Sequence, residues 1–174
     1  MRAFLGVDTG ALADGRTDPS PAHVTLRFLG EVDPDGIERI VAAMPAAVGS
    51  VAPFDLGLGG VGAFPSAAGP RVVWLRVREG EDEVRRLAAG VSGALARIGW
   101  PPEPGPFVPH VTLFRVRSTR DRQRALDLLE GRTAPPTAPV VRVRAVALKE
   151  SRLGPHGAEH RVLREFALGG AERD

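Results

Sequence analysis

Hydrophobic and polar residues follow two different periods along this chain, and the alternation between the two predicts a mixed α and β fold. Stretches rich in Val, Thr, Leu and Phe with turn residues at their ends are typical of strands. The predicted strands are Arg2–Asp8, His23–Leu29, Phe54–Leu58, Arg71–Arg78, Val108–Val116, Val140–Leu148 and Arg161–Leu168. Between several of them, apolar residues recur every three or four positions and indicate amphipathic helices.

Boundary signals support three helices. The first begins after Asp33, an N-cap residue followed by proline, and is expected to stop near Pro45. The second keeps an apolar stripe up to Gly99, a residue that favours a helix C-terminus. The third begins after Ser118, with Asp121 three residues later in the pattern of a capping box.

A glycine-rich stretch, Gly57–Gly62, matches the spacing G-x-G-x-x-G of dinucleotide-binding proteins, and Glu79 follows about twenty residues later. That motif has to open a helix, whereas Pro65 and Pro70 come directly after it here. We therefore interpret the stretch as a glycine-rich loop and not as a dinucleotide site.

One four-residue phrase occurs twice. His23–Leu26 and His110–Leu113 both spell His-Val-Thr-Leu, and they are separated by half of the 174-residue chain. On a strand, the His and Thr of each copy share one face, and the Val and Leu point to the other. The order of strands and helices around the two copies is also similar. We therefore predict a duplicated α+β unit with both motifs at a central cleft.

The four polar motif residues are the candidate catalytic set: His23, Thr25, His110 and Thr112. A lone histidine on a strand is usually structural, but packing does not require that the polar members match in both copies. Two imidazoles that titrate near neutrality suit displacement at phosphorus, since one takes a proton and the other gives one. The threonine hydroxyls can bind non-bridging phosphate oxygens, so this chemistry needs no metal.

Composition limits the remaining choices. The length fits one domain, residues 1–174, and the absence of cysteine excludes disulfides, thiolate zinc sites and cysteine nucleophiles. No apolar run has the length of a membrane span, and the chain starts on a strand-like segment without a signal peptide, so a cytoplasmic protein is expected. The net charge is only +2, and every basic residue except Lys149 is arginine, which permits a phosphate-bearing partner such as RNA.

Both motif regions resemble the two-histidine (2H) phosphoesterases, and within them the RNA 2′,3′-cyclic phosphodiesterases, once called 2′-5′ RNA ligases. The resemblance covers nearly the whole chain and is carried by Ala22–Val32, Gly60–Ser66, Arg71–Leu75, Phe107–Val116 and Leu148–Leu153. It implies a bilobal fold, with two antiparallel sheets and outer helices around a central cleft in pseudo-two-fold symmetry. It also implies hydrolysis of a terminal 2′,3′-cyclic phosphate on RNA to a 2′-phosphate, without metal or cofactor.

The resemblance also implies individual roles. His23 corresponds to the proton donor and His110 to the proton acceptor, and Arg115 to an arginine that binds the substrate phosphate. Strict alternation places Arg115 on the face opposite His110 unless a bulge turns it, whereas Arg27, the second candidate for substrate binding, has the parity of His23. The family usually has a helix and a further strand before the first motif, and this chain has only Thr9–Ala22 there.

Other interpretations remain open at this point. A different 2H activity, such as cyclic mononucleotide hydrolysis or 2′-5′ strand joining, fits the same residues, and so does a non-catalytic protein that binds RNA ends. We expect a monomer. His156 and His160 have the i, i+4 spacing of helical metal ligands, but the flanking glycines and proline forbid a regular helix and no further ligand completes a set. We therefore expect both to be surface residues and predict no metal site.

Overall fold

The computed structural model describes residues 1–10, 12, 22–154 and 157–169. Eight strands and three helices follow one another in this part of the chain. They are β1 (Arg2–Gly10), β2 (Ala22–Glu31), α1 (Pro34–Val48), β3 (Phe54–Phe64), β4 (Val72–Glu79), α2 (Glu81–Arg97), β5 (His110–Arg115), α3 (Thr119–Leu129), β6 (Val141–Val143), β7 (Ala145–Gly154) and β8 (Gly157–Ala167). Most of the short segment before the first motif lies outside the described residues, as does His156.

The strands pair antiparallel in the order β6-β3-β4-β5-β2-β1-β7-β8. The two motif strands, β2 and β5, are neighbours at the centre and meet at the pair Val24–Val111. Each half of this order contains four strands, one of them a motif strand, and these two halves are the predicted lobes. The predicted duplicated α+β unit is confirmed, and its two sheets are joined edge to edge at Val24–Val111.

The main core lies between the sheet and the helices α1 and α2, which pack against each other. Both central valines belong to this core, with Val24 0% and Val111 1% exposed. Burying a side chain of this size stabilises the fold by about 1.5–3 kcal/mol. The largest aliphatic side chains that are almost completely buried are Leu5, Ile40, Met44, Leu56, Leu75, Leu87, Leu95 and Leu148. Since the valines point into the core, the motif histidines and threonines are left on the opposite face.

Helix α1 does not stop near Pro45, as the sequence predicted, but continues to Val48 with the proline inside it. The Pro45 ring is exposed, whereas Met44, Ala47 and Val48 are buried. The apolar contacts of the last turn therefore outweigh the one backbone hydrogen bond that proline cannot make. The predicted caps are confirmed: Asp33 accepts a hydrogen bond from the Gly36 amide, and Ser118 one from the Asp121 amide. Gly99 follows the end of α2 with φ of 100°.

The glycine-rich stretch is not a loop but part of β3. It contains a register irregularity between Leu58 and Val61, where Gly60 has φ of 77°, a conformation that favours glycine. Gly62 is paired with Trp74 on β4, and a Cβ atom at this position would overlap the indole ring. The glycines thus let a large aromatic residue lie directly on the strand, and β3 continues to Phe64 without opening a helix.

Candidate active site

The four motif residues meet on one face of the sheet. Around the antiparallel pair Val24–Val111, residues on the two strands face one another in reverse order, so the histidine of each motif lies across from the threonine of the other. The facing pairs are His23 with Thr112 and Thr25 with His110. This arrangement has local two-fold symmetry, which explains why the same phrase serves both strands.

His110 is held in one tautomer. Its Nδ1 lies 2.6 Å from the carbonyl oxygen of Val108, and because a carbonyl only accepts, Nδ1 carries the proton and the neutral ring keeps Nε2 free of one. Burial lowers the pKa of His110 below its ordinary value, and the hydrogen bond to Val108 opposes that shift. The rings of Phe64 and Trp74 lie 5.0 and 5.7 Å from the imidazole and fix its position. A neutral, oriented imidazole of this kind is suited to accept a proton.

His23 lies in a triangle of three rings. The centroids of His23, Phe4 and His160 are 4.9 to 5.0 Å apart, with His160 standing edge-on to both other rings. Phe4 is tilted by only 32° relative to His23, so its π-face lies against the imidazole.

His160, predicted to be a surface residue, also contacts the first motif histidine. The residue is half-buried and lies on β8 opposite Ser151, which places it on the face that carries His23. The sequence interpretation started this strand at Arg161, whereas β8 begins at Gly157. The i, i+4 spacing singled out His160 as a possible metal ligand, which does not explain its contact with His23. A predicted strand that began one residue earlier would have included it.

Opposite charges lie across from the two histidines, a feature the sequence interpretation missed. Asp8 on β1 is the cross-strand partner of His23, and Arg76 on β4 is the cross-strand partner of His110. Directly opposed side chains on an antiparallel pair are close enough to interact. Lys149, only 3% exposed, forms an ion pair with Asp8 and offsets part of its charge. A carboxylate favours a protonated imidazole beside it, and a guanidinium favours a neutral one.

Each motif strand contains a β-bulge at the same place. Relative to its neighbour, β2 has one extra residue at Leu26 and β5 has one at Leu113, in each case the third residue after the histidine. An extra residue shifts the side-chain alternation by one position. The faces occupied by residues beyond the bulges therefore differ from those that strict alternation predicts.

The bulge at Leu26 turns Arg27 away from the face on which alternation placed it. Arg27 is paired with the core residue Leu5, is 7% exposed and donates a hydrogen bond to the Pro101 carbonyl oxygen. The bulge interrupts the regular alternation on which the parity argument relied, and Arg27 lines the same cavity as Thr25 and His110. A contact between Arg27 and substrate stays a prediction.

The bulge at Leu113 turns Arg115 toward the face that carries the motif histidines. Arg115 is paired with Val72, two residues from Trp74 on the same strand, and is exposed. Since Trp74 contacts His110 and is paired with Thr112, Arg115 lies on the face of the catalytic candidates. An arginine that binds the substrate phosphate has to lie on this face of the sheet.

Comparison with known proteins identifies the family. The sequence profile of the 2′-5′ RNA ligase superfamily matches residues 5–152. The chain belongs to this superfamily. Two relatives named RNA 2′,3′-cyclic phosphodiesterase are each 35% identical to it. The relative from Aeropyrum pernix aligns over 87% of this chain and 84% of its own, and that from Archaeoglobus fulgidus over 95% and 99%.

Solved structures of similar fold align with nearly the whole of this chain. A crystal structure from Thermus thermophilus has a TM-score of 0.73 and 26% identity, covering 98% of this chain and 99% of its own. Escherichia coli LigT complexed with 3′-AMP has a TM-score of 0.68 and 25% identity, covering 96% and 97%. Both likenesses extend over both lobes.

In this superfamily member, a cavity of about 490 Å³ opens beside the motifs. Thr25, Arg27, Phe28, Phe64 and His110 line it, together with Leu26, one side of α2 and the segment 103–108. Its volume lies within the range of small-molecule sites and exceeds what a phosphate group alone requires. The described residues contain no group of three or more His, Cys, Asp or Glu side chains placed to hold a metal ion, and no described helix is long and apolar enough to cross a membrane.

Proposed function

We propose that this protein hydrolyses a terminal 2′,3′-cyclic phosphate on RNA to a 2′-phosphomonoester. In this reaction His110 takes a proton from water, and the water oxygen attacks phosphorus. The bond from phosphorus to O3′ breaks, and His23 gives its proton to the leaving oxygen. The products are a 2′-phosphate and a free 3′-hydroxyl.

The observation that carries this proposal is the meeting of the two His-Thr pairs at the Val24–Val111 pair. Each histidine lies across from the threonine of the other motif, so an acid, a base and two hydroxyl donors surround one space. In-line displacement at phosphorus needs an acid and a base on opposite sides and donors for the non-bridging oxygens. The names of the 35%-identical relatives support the same reaction.

The surroundings of the histidines support the division of roles. His110 donates through Nδ1, has a lowered pKa and lies opposite the Arg76 guanidinium, all of which suit a proton acceptor. His23 lies opposite the Asp8 carboxylate, which suits a proton donor. Identical residues thus receive different tasks from their neighbours.

Thr25, Thr112 and Arg115 bind the phosphate in this proposal. The hydroxyls bond the non-bridging oxygens, and the guanidinium offers a bidentate contact to the charge that develops on them. Arg27 donates one hydrogen bond to the Pro101 carbonyl oxygen in the segment that leads to β5, and its remaining N–H groups can contact substrate in the cavity that it lines.

The decisive experiment uses an oligoribonucleotide that ends in a 2′,3′-cyclic phosphate, with product identification by ³¹P NMR and mass spectrometry. We expect a 2′-phosphate product and no detectable turnover by a variant with both histidines replaced by alanine. A substrate with an activated leaving group, which needs no proton, should rescue His23→Ala but not His110→Ala. Absence of hydrolysis would sink the proposal, and a 3′-phosphate product would mean that the substrate binds the other way round.

Strand joining is a second candidate, favoured by the description of the superfamily. If a 5′-hydroxyl takes the place of water, the same proton transfers yield a 2′-5′ linkage. Adding an oligonucleotide with a 5′-hydroxyl to the assay measures this reaction directly. The same assay tests cyclic mononucleotide hydrolysis when a 2′,3′-cyclic mononucleotide replaces the oligonucleotide, and binding without turnover would favour an RNA-end binding protein.

The protein acts as a monomer in this proposal, because one chain supplies both motifs. Light scattering during size-exclusion chromatography would test the oligomeric state, and fractionation of the source cells would test the predicted cytoplasmic location.

A further inference from the structure

Arg27 places a positive charge inside the fold without a carboxylate beside it. The side chain is 7% exposed. Its Nη2 donates a hydrogen bond to the Pro101 carbonyl oxygen, and its buried Nε has no hydrogen-bond partner in the part of the chain that the structure describes. None of the ion pairs between described residues includes this guanidinium. Burying a charge is costly unless an opposite charge and hydrogen bonds compensate for it, so an anionic ligand would complete the surroundings of Arg27.

The cavity beside the motifs gives such an anion access to Arg27. The side chain lines this cavity of about 490 Å³ together with Thr25 and His110, and α2 and the segment 103–108 form the other walls. A strand rises about 3.3 Å per residue, so the backbone positions of Thr25 and Arg27 lie about 7 Å apart. A ligand whose phosphate is held at the motifs therefore reaches Arg27 only if it extends beyond that phosphate.

Two further charged side chains of the described residues line the cavity, and neither cancels the charge of Arg27. Arg85 is exposed and forms an ion pair with Glu81 on the same helix. Glu103 is also exposed, and within the described ranges it is paired with neither arginine of the cavity. Solvent and salt screen an exposed carboxylate more strongly than a buried guanidinium. The charge that a ligand meets beside Arg27 is therefore positive.

We propose that Arg27 binds the phosphodiester that links the last nucleotide of the RNA to the one before it. This inference rests on the proposed function and specifies its substrate class, an oligonucleotide end in preference to a cyclic mononucleotide. The cyclic phosphate occupies the 2′ and 3′ oxygens of the last ribose, and the linking phosphodiester is attached to the 5′ oxygen of the same ribose. It is the nearest second anion of the substrate, and a guanidinium suits its two non-bridging oxygens. A cyclic mononucleotide lacks this anion.

The test compares two dinucleotides, both adenylyl-adenosine with a terminal 2′,3′-cyclic phosphate. One has the natural phosphodiester between its nucleosides, and the other has an uncharged methylphosphonate. For the unaltered protein we expect kcat/KM to be about tenfold or more higher with the charged linkage, because the neutral one loses a hydrogen bond to a charged group. In Arg27→Gln, which keeps a donor for the Pro101 carbonyl, kcat/KM for the two dinucleotides should differ less than about twofold.

The matched control is Arg39→Gln. Like Arg27, Arg39 donates a hydrogen bond to a backbone carbonyl oxygen of the segment after α2, that of Ile98, but it is exposed and does not line the cavity. This variant should keep the preference of the unaltered protein for the charged linkage. Arg27→Met is a second variant without the charge, of similar length and with no polar group to bury, and it should also lose the preference.

Three outcomes would overturn the inference. The first is equal kcat/KM for the two dinucleotides with the unaltered protein, which requires no variant. The second is a preference for the charged linkage that persists in a folded Arg27 variant. The third is loss of the cooperative melting transition in both Arg27→Gln and Arg27→Met, since the charge would then serve the fold and not a ligand.

Binding separates this inference from the proposed function. Calorimetric titration with adenylyl-adenosine 2′-monophosphate and with its methylphosphonate analogue requires no turnover. A preference for the charged linkage that disappears in Arg27→Gln would support the site even if the protein hydrolysed neither cyclic dinucleotide. Hydrolysis of both cyclic dinucleotides at equal kcat/KM would leave the proposed function standing and refute the role of Arg27.

Discussion

At the scale of residues, the site shows how neighbours give different chemistry to identical side chains. His23 and His110 come from the same four-residue phrase, yet Asp8 lies opposite the first and Arg76 opposite the second. An acid and a base must be in opposite protonation states at the working pH. Identical neighbours around the two histidines would not favour such a difference.

The charge opposite His110 leads to a prediction about pH. In the proposed reaction His110 acts as the neutral base, so activity is expected above its pKa and should be lost as the pH falls through it. Arg76→Gln removes a positive charge, raises that pKa and moves the acidic limb of the pH–rate profile to higher pH. Because the Arg76 side chain is exposed, the loss of rate on this limb should be about twofold to fivefold, with the alkaline limb unchanged. Arg78→Gln, which removes the same charge two residues away on β4, should leave both limbs in place.

The threonines allow a test of transition-state binding. Thr25→Val or Thr112→Val deletes one hydroxyl and keeps a shape that suits a strand. By analogy with oxyanion donors, kcat should fall by about 10² to 10³, a loss of about 2.7–4 kcal/mol, with little change in the melting temperature. Thr133→Val, at an exposed position outside the site, is the control. Wild-type kcat values in both site variants would exclude the hydroxyls from phosphate binding.

At the scale of elements, strand irregularities shape the cleft. The bulges at Leu26 and Leu113 select which arginine lies on the face of the motif histidines, and the glycines of β3 admit the Trp74 ring beside His110. Features that weaken a regular strand are therefore the ones that build the site.

Gly62 connects strand structure to catalysis. In Gly62→Ala the new methyl group overlaps the Trp74 indole, which has to move and thereby disturbs His110. We expect a loss of about 1–3 kcal/mol in the free energy of unfolding, measured by urea denaturation, and a kcat at least about tenfold lower. At Gly59 a Cβ atom meets only the flexible Arg78 side chain at 3.4 Å, so Gly59→Ala should change kcat less than about twofold. A Gly62→Ala variant with unchanged kcat would separate Trp74 from the positioning of His110.

At the scale of the molecule, both lobes are needed for one reaction. The lobe of β2 combines strands from the beginning and the end of the chain, and the lobe of β5 uses strands from its middle. The cleft forms where the two halves meet at Val24–Val111, so neither half of the sequence folds into a complete lobe by itself.

The chemistry of the whole site predicts independence from metal ions. Imidazoles, hydroxyls and guanidinium groups perform every proposed step, and no step needs a Lewis acid. Hydrolysis rates in excess EDTA should therefore equal those in untreated buffer. Loss of activity in EDTA and its recovery with zinc or magnesium would contradict the two-histidine mechanism.

The sequence by itself determined most of the strands and helices, the duplicated unit and the four motif residues, because periodicity and capping are local properties and an exact repeat is visible without the fold. It did not determine which face Arg27, Phe28 and Arg115 occupy, since a bulge exists only relative to the neighbouring strand. The contact between His160 and His23 and the charges opposite the two histidines likewise depend on strand register, which tertiary pairing sets. For this protein, the sequence identified the candidate catalytic residues, and only the packed sheet decided which groups surround each of them.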